Sequence, residues 1–253
     1  MTKRKLQFSI DFLSFIVYNK YVIKRENATP KNEKGTHPMS KKVIVLDTET
    51  TNSIDDPLCY DIGWAVVDLA TGEVIKAESF AVAEIFLDKD LMAEAFFADK
   101  IPSYWDEIEN GDRKLARLFT IRKALVADCK AYGIKEIYAH NARFDYLSCS
   151  LTQRYLTCSK HRYFFPYGTV ICDTLKMSRK AFGSDEDYAE FCEVNGYKTA
   201  NNQNRYTAEI LYRFMSGNND FEEVHKGLDD VLIEKDILLE CLKRGVFEGK
   251  LWE

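Results

Sequence analysis

Asp47 and Glu49 stand two residues apart at the end of the run Val43-Ile44-Val45-Leu46. That run is β-branched and aliphatic and reads as a buried strand. Side chains two apart on a strand share a face, so two carboxylates meet at the edge of an apolar core. They repel each other and are costly to desolvate. A hard divalent cation between them relieves both penalties, and such a cation takes oxygen ligands. Two further acidic pieces follow along the chain. Asp145 closes His140-Asn141-Ala142-Arg143-Phe144-Asp145, where a strand passes into a helix. Asp230 closes His225-Lys226-Gly227-Leu228-Asp229-Asp230, at the start of the last predicted helix.

The elements that must position these residues are legible from periodicity and turn residues. After the first strand, residues 52–57 form a loop rich in turn formers. Residues 62–68 and 74–82 read as second and third strands about the turn Ala70-Thr71-Gly72. Residues 85–110 are apolar in patches and suggest short helices. Residues 112–132 read as an amphipathic helix, with Leu115, Leu118, Phe119, Leu125, Val126 and Cys129 at helical spacing and Gly133 as its stop. A strand over 134–139 leads into a helix with Leu147 and Leu151 inward. Residues 163–168 read as an aromatic loop or edge strand. Val170-Ile171-Cys172 is the last strand, and a helix through Leu175 and Met177 follows it. Ser184, with Asp187 three residues on, reads as a helix cap. Further helices are predicted over 206–214 and 227–242. The order β-β-β-α-β-α-β-α-α predicts an α/β fold, a mixed five-stranded sheet with helices on both faces.

The 253 residues are 46% hydrophobic and 30% charged, an ordinary globular composition, and the net charge of -5 does not mark a nucleic-acid binder. There is no internal repeat, glycine-rich phosphate loop or nucleophile elbow. The seven cysteines are odd in number and scattered, which fits free thiols in a reducing cytosol. Cys158 and His161 have zinc-like spacing, but no second pair matches it, and structural zinc sites want four ligands. Residues 1–40 differ from the rest. A basic start, a short apolar-aromatic run and a polar linker over 27–40 form neither a signal peptide nor the about 20 apolar residues of a membrane span. They are expected to be an appendage or an over-extended start, with Met39 as an alternative beginning and residues 41–253 as the working domain.

The three acidic pieces, in this order and setting, resemble the motifs of the DnaQ-like 3′–5′ exonucleases of the ribonuclease H-like fold, in the DEDDh branch. The resemblance covers roughly residues 41–242. The first motif is Asp47-Thr48-Glu49-Thr50, the second His140 to Asp145, and the third His225 with Asp230. The tyrosine branch would place Tyr where Lys226 stands. Cys172-Asp173-Thr174-Leu175 resembles the family's Asp-Thr-Leu segment, and Gly227 replaces a common Ala. The long interval from Asp173 to His225 leaves room for loops of this chain's own. A phage or prophage origin is suggested by the overall flavour.

That resemblance implies a two-metal phosphodiester hydrolase using Mg²⁺ or Mn²⁺ ions about 4 Å apart. It implies that Asp47 bridges the ions, Glu49 and Asp230 complete the first site, and Asp145 holds the second. His225 is the implied general base, with a reference pKa of about 6.5. Five residues along a helix turn through about 140°, so His225 is expected on the loop before a helix starting near Gly227. That helix N-terminus favours a phosphate. Asn141 either contacts substrate or forms the turn. Phe144 either stacks on a base or packs in the core. Thr48 and Thr50 are expected to contact the terminal nucleotide through backbone or hydroxyl groups. Asp229 points about 100° away from Asp230 and reads as helix-terminal charge. Arg143, Arg154, Lys176, Arg179 and Lys180 either track phosphates or decorate solvated helix faces.

The implied activity is release of nucleoside 5′-monophosphates from a nucleic-acid 3′ end, single-stranded DNA before RNA. A DNA polymerase or replication proteins are the implied partners. The alternatives are an RNA-trimming exoribonuclease with the same site, and a non-catalytic nucleic-acid-binding or polymerase-accessory domain. The intact acids and histidine argue against the last.

Overall fold

A computed structural model describes residues 41–158 and 163–252. The expectations for residues 1–40, and the Cys158–His161 spacing through His161, lie outside the described residues. The strands are β1 (Lys42–Thr51), β2 (Leu58–Asp68), β3 (Val74–Val82), β4 (Lys114–Ala116), β5 (Glu136–Ala139) and β6 (Val170–Asp173). They form one mixed sheet in the order β4-β3-β2-β1-β5-β6. The β1–β2 and β2–β3 pairs are antiparallel, and β3–β4, β1–β5 and β5–β6 are parallel.

The helices are α1 (Ala83–Phe86), α2 (Lys89–Met92), α3 (Ile101–Asn110), α4 (Leu118–Tyr132), α5 (Ala142–Leu156), α6 (Thr174–Phe182), α7 (Glu186–Val194), α8 (Ala208–Ser216) and α9 (Gly227–Lys243). Alternation along β1 sorts them into two layers. Ile44 and Leu46 pack with Ile62, Trp64, Tyr104, Leu125 and Cys149, on the α3–α5 side. Val43 and Val45 pack with Met177, Phe182, Tyr188, Val231 and Leu238, on the α6–α9 side. Each such aliphatic or aromatic side chain contributes about 1.5–3 kcal/mol by leaving water. The expected mixed sheet with helices on both faces is therefore present.

The sheet has six strands rather than five. Lys114–Ala116 is strand β4, although the spacing of Leu115 and Leu118 suits a helix. The chain is held extended there because Arg113, buried, forms an ion pair with buried Asp61 on β2. The helix starts only at Leu118, whose N–H donates to Glu84 Oε2 at 3.0 Å. The cap of α7 also differs from expectation: Asp185 rather than Ser184 accepts the Tyr188 N–H, at 3.0 Å. Residues 163–168 form a loop.

The N-terminus of α9 lies against β2, and a Cβ on Gly63 would come within 2.3 Å of the Leu228 nitrogen. Gly227 is as confined, since its Cβ would sit 2.8 Å from the Gly63 nitrogen and 3.1 Å from the Asp47 carbonyl oxygen. The two glycines let helix and strand touch through bare backbone. Gly63→Ala is therefore expected to push α9 outward and cost about 1–3 kcal/mol by overpacking. Urea denaturation checks this, and an unchanged midpoint would contradict the contact.

Candidate active site

Asp47 and Glu49 occupy the last turn of pleat before a register shift in the β1–β2 pairing, opposite Gly63 and Asp61. Asp61 is fully buried within β2 and organises the neighbourhood. It accepts from the Tyr104 hydroxyl at 2.6 Å and pairs with Arg113, while its Oδ2 accepts the Gly227 N–H at 3.0 Å. A carboxylate at a helix N-terminus is favourably placed, so Asp61 fixes the start of α9 beside β1. Arg113 and Lys226 both reach Glu107, which ties the same corner to α3.

Asp230 lies one turn into α9 and is buried, whereas Asp229 is exposed, as their angular separation requires. Asp230 Oδ2 accepts the Lys226 N–H at 3.0 Å; its Oδ1 is buried with no partner. Asp145 enters from the first turn of α5, which follows Asn141 in the left-handed region at φ 65°. The Thr48 hydroxyl donates to Asp145 Oδ1 at 2.9 Å and lies 3.2 Å from the Ser148 hydroxyl oxygen. Thr48 thus orients a carboxylate. Asp173 accepts the Asn141 N–H at 3.1 Å and caps α6 through Leu175, so β6 braces the start of α5. His140 is half-buried in this brace: its Nε2–H donates to the Tyr206 carbonyl at 2.7 Å, and its Nδ1 lies 3.0 Å from the Thr174 hydroxyl.

His225 stands on the loop before α9, at φ 57°. Its ring stacks on Phe97, with centroids 4.0 Å apart and planes 7° apart. His225, Glu49 and Asp230 each offer a ligand atom within 4.8 Å of the others. Glu209, Glu223 and His225 meet as closely, but Glu209 is also paired with Arg213 at 2.6 Å.

Asp47, Thr48, Glu49, His225 and Asp230 line a cleft of about 700 Å³, and Asp145 lies outside its lining. Asn141 and Phe144 line it as well, Phe144 half-buried. Thr50 is not among the lining residues; its carbonyl accepts the Phe96 N–H at 3.4 Å. Of the basic residues singled out from sequence, exposed Arg179 lines the cleft, and exposed Arg205 joins it from the loop after α7. That loop lies in the long interval between Asp173 and His225. Lys176 instead donates to the Leu251 carbonyl at 3.0 Å.

Crowding acids here has an electrostatic consequence. Burial, then Glu234, pushes Asp47 well above the usual carboxylate range. Burial, then Asp230, pushes Glu49 up to about 9. Burial raises Asp145 to about 7, against the lowering hydrogen bond from Thr48. Burial, then Glu223, raises Asp230 to about 8. Burial moves His225 the other way, below its ordinary value. The carboxylates therefore bind more protons folded than unfolded near neutral pH. By linkage, the stability of the metal-free protein falls as pH rises above about 4, where unfolded carboxylates ionise, and through the folded values of about 7 to 9. A thermal melt series across that range should show a declining midpoint, and saturating Mg²⁺ or Mn²⁺ should flatten it. A midpoint that rises with pH would contradict this account.

The donor set suits a hard divalent cation. It is all carboxylate oxygen apart from one imidazole, and the buried Asp230 Oδ1 is an orphan that such an ion would satisfy. Among the described residues, no salt bridge reaches Asp47, Glu49, Asp145 or Asp230.

Sequence reasoning did not single out Asp61, Phe97 or Glu234. Asp61 had a signal, an acid within an otherwise apolar strand. Glu234 had one too, since it lies four residues beyond Asp230 and so on the same helix face. Phe97 had none, because its partner is 128 residues away by number (225 − 97).

No protein-family model matches the chain, and no curated protein matches it. Solved structures do match. The nuclease domain of 3′hExo, a DEDDh family member bound to rAMP, is 13% identical with a TM-score of 0.56, over 84% of this chain and 96% of that one. A full-length 3′-exonuclease is 14% identical with a TM-score of 0.52, over 83% and 84%. Exonuclease I from Methylocaldum szegediense is 13% identical with a TM-score of 0.51, over 81% of this chain and 41% of that one. At these identities the likeness is one of architecture, and the chain has the α/β fold of the DEDDh 3′-exonuclease nuclease domains.

Proposed function

We propose that this protein is a metal-dependent 3′–5′ exonuclease that hydrolyses the terminal phosphodiester bond of a nucleic acid and releases nucleoside 5′-monophosphates. The observation that carries the reading is the convergence of Asp47, Glu49, Asp145, Asp230 and His225. They come from β1, α5, α9 and the loop before α9; Asp47, Glu49, His225 and Asp230 line one cleft, and Asp145, outside its lining, is joined to it through the hydroxyl of Thr48. In this reading Asp47, Glu49 and Asp230 would hold one ion, and Asp47 with Asp145 would hold the other. The bound Mg²⁺ or Mn²⁺ ions supply charge stabilisation to the attacking and leaving oxygens.

The chain's own residues do the rest. His225, held against Phe97 and kept neutral by burial, takes a proton from the attacking water. Thr48 holds Asp145 in place. Thr48, Asn141 and Phe144 line the cleft, where Phe144 would stack on the terminal base and Thr48 and Asn141 would contact the terminal nucleotide. Arg179 and Arg205 line the same cleft, where they would meet upstream phosphates. We take residues 41–253 as the working unit, single-stranded DNA as the first substrate, a reducing cytoplasm as the compartment and a replication protein such as a polymerase as a partner. The fold neighbours include a domain bound to rAMP and an E. coli Exonuclease I complex with single-stranded DNA, so both backbones belong in the test. Among the described residues, no helix is long and apolar enough to cross a membrane.

Chromatography of the products tests the reading. Single-stranded DNA or RNA with Mg²⁺ or Mn²⁺ should yield nucleoside 5′-monophosphates. Nucleoside 3′-monophosphates, or binding without any product, would overturn it.

A further inference from the structure

The aromatic loop over residues 163–168 has no part in the proposed scheme. With α5, β6 and Trp252 it encloses a second cleft, of about 590 Å³. Its rings order one another. Phe165, buried, lies parallel to Tyr146 of α5, with centroids 5.6 Å apart and planes 10° apart. Trp252 meets the same Tyr146 ring edge-on at 4.5 Å. It is brought there by the backbone, since β6 is the edge strand and the Leu251 N–H donates to the Ile171 carbonyl at 2.8 Å. The Pro166 carbonyl accepts the Thr169 hydroxyl at 2.7 Å and its N–H at 3.3 Å, with Gly168 between them at φ 83°. That tight turn holds Tyr167 fully exposed, while Tyr163 and Trp252 are more than half exposed. Clustered aromatic surface left in water marks a binding site more often than a packing fault.

The charge of the cleft says what it takes. Arg122 lines it and no acid does, in a chain whose net charge is -5. The Arg122 Nε–H donates to the Tyr163 carbonyl at 3.3 Å, which holds the guanidinium beside the rings. On the adjoining strand, Glu136 is already paired with Lys41 at 2.6 Å. Exposed rings beside a cation suit unpaired bases and the phosphates that join them. The cleft is also continuous with the proposed active site. Phe144 lines the first cleft and Tyr146 the second. Two residues apart on α5, they point about 200° apart, so the two clefts flank one helix about 10–12 Å across.

We propose that this second cleft binds single-stranded nucleic acid upstream of the 3′ end, its rings stacking a base and Arg122 meeting a phosphate. This rests on the exonuclease reading for the direction of the strand. A strand long enough to pass α5 engages both clefts, whereas a dinucleotide engages only the first.

The test compares a twenty-nucleotide oligothymidylate with a thymidine dinucleotide as substrates of the full chain in Mg²⁺. Tyr167→Ala and Trp252→Ala should each raise KM for the long strand about 5- to 100-fold, the effect of losing one stacked base. The kcat and the hydrolysis of the dinucleotide should stay at wild-type values. Tyr167 is fully exposed, so its variant keeps the test available if Trp252→Ala does not fold. Binding of the long strand, labelled with fluorescein at its 5′ end and held in EDTA, is followed by anisotropy. There Arg122→Gln should reduce the slope of log K against log salt by about 0.7, which a purely structural arginine would not do. Folded variants with wild-type KM for the long strand and an unchanged salt slope overturn the inference and leave the exonuclease reading standing. Wild type that binds the long strand through these residues but releases no mononucleotide overturns the exonuclease reading and leaves the second binding cleft.

Discussion

Asp47→Ala is expected to abolish metal-dependent shortening of a nucleic-acid 3′ end while leaving the protein folded. Asp47 is the acid on which the others converge: Glu234, Asp145, Glu49 and Asp230 all raise its pKa. In the proposed scheme it is the ligand shared by both ions. Losing it removes transition-state stabilisation of several kcal/mol, and thus about 10³-fold or more in rate. The effect on stability should have the opposite sign. In the metal-free protein the surroundings of Asp47 disfavour its ionised form, so folding at neutral pH must either bury that charge or take up a proton, and removal of the carboxyl should raise the melting midpoint. Asp230→Asn should behave alike, retaining an acceptor for the Lys226 N–H and losing the charge. Rate and midpoint measured on the same preparations separate catalytic loss from unfolding. Full activity in a rigorously purified Asp47→Ala protein would refute the assignment.

His225→Ala is expected to slow turnover by about 10²-fold or more at saturating metal, with metal binding kept. The ring is set for proton transfer rather than for packing. It sits half-exposed at the cleft on a left-handed loop residue, stacked on Phe97. Burial lowers its pKa below the ordinary value, so it is neutral and able to accept a proton at pH 7. The sign of the pH dependence follows. Wild-type rate at saturating metal should fall as pH drops through that lowered value, below about 6.5. The variant should lack this acid limb. A His225→Ala protein as fast as wild type, or with an unchanged pH profile, would remove His225 from the mechanism.

Much of the scaffold could be read from residues alone, because its signals are local. The aliphatic run before Asp47, the turn between β2 and β3 and the stripe of α9 each declare themselves within a few residues. The placement of His225 before α9 followed from helix geometry, since a five-residue spacing cannot converge within one helix. Long-range contacts were less visible. Strand β4 reads as helix because Leu115 and Leu118 fall at helical spacing, while the force holding it extended is the ion pair of Arg113 with Asp61, far away in sequence. Starting the second strand at Ile62 hides Asp61, the acid that receives the N-terminus of α9. Thr48 was visible as a neighbour of the acids, but that its hydroxyl would turn to Asp145 depends on how α5 packs under β1. Glu234 sits in plain helical register with Asp230, yet its orphaned oxygen becomes evident only once three elements surround it.

The central claim is directional, metal-dependent hydrolysis at a 3′ end. The measurement that bears on it most directly uses 3′- and 5′-labelled single- and double-stranded DNA and RNA. Each is incubated with Mg²⁺, Mn²⁺ or EDTA, beside Asp230→Asn. The account predicts immediate release of the 3′ label as mononucleotide, a descending ladder from the 5′-labelled strand, and neither in EDTA or with Asp230→Asn. Release of the 5′ label first, cleavage that persists in EDTA, or equal activity in Asp230→Asn would contradict it.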